Sequence, residues 1–130
     1  IRLFESGLER NPYFRDALFN LANAYFLSDS AAKMLSTLQR LVAVDPSNSD
    51  NFRLMAGAWQ AVGKTKTVPA EVKATQDSLL FYLEKSQTLP VHVKLSWVPT
   101  RGAGVVDVVV ENRSDAPKSY EVNVEFLDAK

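Results

Sequence analysis

The sequence predicts an α+β chain: a stack of antiparallel helix pairs over the first two thirds, then a small three-stranded antiparallel β-meander. Two observations carry this. Apolar residues recur at helical spacing up to Leu89-Pro90 and alternate with period two beyond it. Within the helical part the packing residues repeat at an offset of 34 positions. Leu18, Leu21, Ala22 and Tyr25 are matched by Phe52, Met55, Ala56 and Trp59, a series of large, large, small and aromatic in both copies. The small residue marks a close approach between helices, and the aromatic fills the space beside it.

Taken in order, helices are expected at about 1–9, 14–28, 30–44, 48–62 and 69–87. Ser30, Ser47 or Ser49, and Thr67 are the candidate N-caps. Pro12 and Pro46 each follow the end of a helix, at the same offset of 34. The stretch Gly63 to Pro69 suits a loop, and Pro69 fits the first turn of the next helix. None of these helices is long enough to stand alone, so each must bury one face against a neighbour.

On these residues the helical part resembles the tetratricopeptide-repeat family, whose period is about 34 residues. The resemblance covers residues 1–88: a partial repeat at 1–13 with Phe4, Gly7 and Pro12, then repeats at 14–47 and 48–90. A loop insertion at 63–69 shifts Ser78 and Tyr82 onto the small and aromatic positions of the last helix. Met34 and Leu41 stand where the family has alanine, which implies a helix set further from its neighbours. The family binds extended peptides on the concave face formed by the first helix of each repeat. That implies a partner-binding face of Asp16, Phe19, Asn23 and Phe26 with Asp50, Arg53 and Gln60, accompanied by Gly57. Only Asn23 matches the residues that clamp a peptide carboxylate in the family, so a carboxylate clamp is not expected.

The C-terminal part, 91–130, predicts three strands. Val91, Val93, Leu95 and Trp97 alternate with polar residues, Val105 to Val110 is apolar on both faces, and Tyr120, Val122, Val124 and Phe126 alternate again. This run resembles the FxLyD family of immunoglobulin-like β-sandwiches, found in exported bacterial and archaeal proteins. The resemblance implies a truncated sandwich and a place in the bacterial cell envelope. A full sandwich has about seven strands. An apolar face on three strands needs a cover, either the helix at 69–87 or a second copy of the chain. A homodimer through this β-module is the expectation, since proline at the short Leu89-Pro90 connection works against fold-back.

Composition narrows the function. Fifteen basic and fifteen acidic residues cancel, and a neutral chain lacks the electrostatic footprint of a nucleic-acid binder. No apolar run reaches the roughly 20 residues of a membrane span. The absence of cysteine excludes disulfides and thiol chemistry, and one histidine, His92, cannot build a multi-histidine zinc site. His92 alternates with core-facing valines and is expected in solvent, whereas Trp59 and Trp97 are expected in the core. Asn112-Arg113-Ser114 has the form of a glycosylation sequon but reads as a turn, and Lys64, Lys66 and Lys73 read as a solvated cluster. No triad, phosphate loop or dinucleotide fingerprint is present, so no cofactor, metal or catalytic group is expected. The chain opens on Ile1-Arg2-Leu3-Phe4, which predicts that it is a piece of a longer protein. The expectation is a non-catalytic scaffold holding a protein or peptide partner. The alternatives are a structural segment of a larger protein and an accessory domain of an enzyme.

Overall fold

The structure, a computed structural model, describes residues 1–125. Five helices are followed by two strands: α1 (Arg2–Arg10), α2 (Arg15–Leu27), α3 (Ala31–Val44), α4 (Ser49–Gly63), α5 (Pro69–Thr88), β1 (Val91–Thr100) and β2 (Ala103–Asn112). Each helix packs on the next in chain order, α1 on α2 through to α4 on α5. The strands form an antiparallel hairpin in which Val93 faces Val110, Leu95 faces Val108 and Trp97 faces Val106.

The core lies where the repeated positions meet. Leu18, Leu21, Ala22 and Tyr25 of α2 and Phe52, Met55 and Ala56 of α4 are all buried, with Leu38 and Leu41 of α3 against them. Phe52 reaches α5, where its ring stacks on Tyr82 at 6.4 Å. The Tyr25 hydroxyl donates to Glu5 Oε1 at 2.5 Å and ties α2 to α1. That hydrogen bond, then burial, then the carboxylate's charge raises the phenol above its ordinary pKa. The tie is therefore intact below the ordinary phenolic range and is lost as pH rises through the raised value.

Local chemistry explains the boundaries. Asn48 caps α4 by accepting the Asp50 amide at 3.1 Å, and Pro69 opens α5 with Val68, not Thr67, at the cap position. Asp29 ends the α2–α3 turn in the left-handed region, at φ 54°, a conformation that Asp tolerates better than most residues. Behind the Asn48 cap, Asp45 and Asn51 are buried, and Asn51 Nδ2 donates to the Asp45 carbonyl at 2.9 Å and carboxylate at 3.1 Å.

The β-module departs from expectation. No strand follows β2 among the described residues: Tyr120, Val122 and Val124 carry no ladder, and Phe126 lies outside the described residues. Tyr120 instead turns its hydroxyl to Pro90 O at 3.2 Å and Asn112 Oδ1 at 3.0 Å. The turn at 112–116 intervenes, with Asn112 Oδ1 accepting from the Ser114 amide and hydroxyl and Asn112 Nδ2 donating to Ala116 O. Nor does α5 fold back over the sheet; it packs on α4. Trp97 is 54% exposed rather than in the core. Its indole lies flat across Gly104, in space that any side chain at 104 would need.

Candidate functional site

A groove of about 820 Å³ has α2 and α4 as its walls. That is the size range of specific binding clefts. Asp16, Phe19, Asn23 and Phe26 enter it from α2; Asp50, Arg53, Gly57 and Gln60 enter it from α4. The spacing of three and four residues keeps each set on one side of its helix. All the residues expected on this face therefore come together. Met34 and Leu41 of α3 reach its floor, together with Leu54.

The groove is apolar with a charged end. Phe19 and Phe26 are 40% and 59% exposed, a large aromatic area to leave in water. A Cβ at Gly57 would meet nothing within 4 Å, so the groove is open there. At the N-terminal ends of the helices, Arg15 Nη2 contacts Asp16 Oδ1 at 2.6 Å and Arg53 Nη2 contacts Asp50 Oδ1 at 3.2 Å. These pairs nearly neutralise one another. The side-chain amides of Asn23 and Gln60 make no hydrogen bond among the described residues, which leaves both donors and acceptors for an incoming chain.

Among the contributors from outside the expected set are Arg15, Lys94 and Leu95. The hairpin supplies the last two, and it is docked at the starts of two helices. At α4 the His92 Nδ1 accepts from the Ser49 amide at 3.1 Å and lies 2.7 Å from Ser49 Oγ, while the Val93 amide donates to Ser47 O at 3.0 Å. At α2 the Arg15 Nη1 donates to Leu95 O at 2.5 Å. His92 is thus half-buried at the helix end, not in solvent. A backbone amide N–H can only donate, so Nδ1 is the acceptor in this contact. The imidazole is an anchor for the hairpin, and among the described residues no second titratable group is hydrogen-bonded to it.

The remaining sequence features play structural parts. Lys66 and Lys73 pair with Glu71 and Asp77 on the surface. The Trp59 Nε1 is enclosed without an acceptor, beside a smaller hollow of about 330 Å³ near Thr75. No group of three His, Cys, Asp or Glu among the described residues could hold a metal ion. No described helix is long and apolar enough to cross a membrane. No protein-family model matches the chain, and neither a curated protein nor a solved structure matches it.

Proposed function

We propose that this chain is a non-catalytic scaffold that holds a partner protein in the groove between α2 and α4, and that its helices are a tetratricopeptide-like array. One observation supports this above the rest. Seven residues chosen for their repeat positions, Asp16, Phe19, Asn23, Phe26, Asp50, Arg53 and Gln60, line one open groove with exposed aromatics and free amides. The test is site-specific photo-crosslinking. Benzoylphenylalanine replacing Phe19 should capture one partner chain, and the same group at Leu80, on the outer face of α5, should not. Gly57→Leu adds a side chain in open space and should abolish capture while leaving the melting temperature unchanged or raised. Equal capture from position 80, or capture indifferent to Gly57→Leu, would sink the reading.

A second reading draws on the hairpin. Val98, Val105 and Val109 on one face and Trp97, Val108 and Val110 on the other are all at least 40% exposed. A second copy covering them would make the chain a homodimer through its β-module. Light scattering at micromolar concentration should then give twice 14.5 kDa, and a mass of 14.5 kDa that persists at hundred-micromolar concentration rejects it.

A further inference from the structure

We infer that a partner peptide binds in this groove as an added β-strand, pairing its backbone with the open edge of β1. The inference rests on the groove being the partner-binding surface and deepens it, because it states the conformation and the chemistry of the bound segment.

The first observation is which part of β1 the groove sees. Lys94 and Leu95 both line it. Successive side chains on a strand point to opposite faces. Two neighbours can line one groove only when the groove looks onto the strand's edge.

The second observation is that this edge still has hydrogen-bonding capacity. In an antiparallel ladder alternate residues turn both backbone groups to the partner, and those between turn them outward. Val93 N–H donates to Ser47 O and Leu95 O accepts from Arg15, so 93 and 95 belong to the outward set. By alternation so does Trp97. The Val93 carbonyl, the Leu95 amide and both groups of Trp97 have no bond among the described residues. Two positions further, Pro99 has no N–H to offer and ends the open stretch. The edge thus keeps free backbone groups beside the groove, with Ser47 and Arg15 holding one group each at 93 and 95, and is blunted beyond it. Sheet edges left free in this way are the sites at which extended peptides add a strand.

The composition of the guest follows. Arg15 occupies the Leu95 carbonyl and must yield it to a guest of either direction. In a parallel pairing the guest residue beside Lys94 donates to the Val93 carbonyl and accepts from the Leu95 amide, and two residues later another takes the place of Arg15 on the Leu95 carbonyl and accepts from the Trp97 amide. Lys94 makes no ion pair among the described residues, while Arg15 and Arg53 are each paired with a carboxylate. The guest residue beside Lys94 is therefore acidic, and its neighbours, turned to the Leu95 side, are apolar. The partner is an extended segment that alternates apolar and polar residues around one Asp or Glu.

The experiment uses the full chain and a displayed library of random dodecapeptides. Selected peptides are made synthetically, and their amides are N-methylated one at a time. This removes single backbone donors and leaves the protein untouched. Methylation at alternate residues should weaken binding at least ten-fold, with the intervening positions within about three-fold. Gly57→Leu should weaken every peptide. Tolerance of N-methylation throughout, with sensitivity to Gly57→Leu, would overturn strand addition and keep the groove as the site. An alternating pattern without sensitivity to Gly57→Leu would move the added strand away from β1. Recovery of no peptide that depends on Gly57 would remove both the inference and the reading beneath it.

Discussion

Phe52→Ala should cost about 3–5 kcal/mol, the range for emptying a large aromatic site in a well-packed core. Phe52 is 2% exposed. Its ring stacks on Tyr82 and lies 5.0 Å from Lys85 Nζ, so it fastens α5 onto α4 from inside. Truncation leaves a void and removes the aromatic pairing together. A chain of this size has about 5–15 kcal/mol of stability in all, so the variant should lose roughly a fifth of it or more. Urea unfolding followed by far-UV circular dichroism gives the number. The groove-facing residues of α4 lie on the opposite side of the helix, so peptide affinity should change little at temperatures where the variant is folded. A loss below about 1 kcal/mol would mean that α5 is not held in this way.

The second large effect is expected at Asn51. Its amide reaches the Asp45 carbonyl and carboxylate, and both side chains are buried at the turn that launches α4. Asn51→Leu keeps the volume and removes the donor. Only Asn48 Nδ2, at 3.3 Å, then remains on the carboxylate. Leaving a buried acceptor without its donor costs about 1–3 kcal/mol, and more for a charge; the expected loss is about 2–3 kcal/mol. A double-mutant cycle with Asp45→Asn separates this from packing. If the two losses simply add, the network is not the cause. The same turn carries Ser47 and Ser49, so amide exchange at Val93 should quicken in Asn51→Leu as the hairpin's docking site loosens.

Much of the helical part was legible in the sequence, and the reason is local. Helix limits follow from Pro12, Pro46 and Pro69 and from apolar spacing, and these act within a few residues of themselves. The buried face followed from the 34-residue offset, since the matched positions Leu18, Leu21 and Ala22 of α2 and Phe52, Met55 and Ala56 of α4 are buried alike. The groove's helical walls were readable by the same rule. The third wall was not. Arg15 and Leu95 are 80 residues apart, and nothing in the period of either segment announces their meeting. His92 was misplaced because alternation separates two faces but does not say what lies beyond the strand's edge. Trp97 was misplaced for a related reason: a large aromatic on an apolar face is expected inside, but here the cover is only its own hairpin and the bare backbone of Gly104. The third strand was read from alternation alone, and alternation contains no information about the register or the partner that a ladder requires.

The docking of β1 has one more consequence. Its anchors lie at two helix ends: His92 and Val93 at the start of α4, Leu95 at the start of α2. A strand cannot stretch beyond about 3.4 Å per residue, so the span from His92 to Leu95 is about 10 Å and no more. Stacked helices are free to slide and splay, and open arrays flex along their axis for that reason. Here an inextensible tie joins the start of α2 to the start of α4 and limits how far the two can separate.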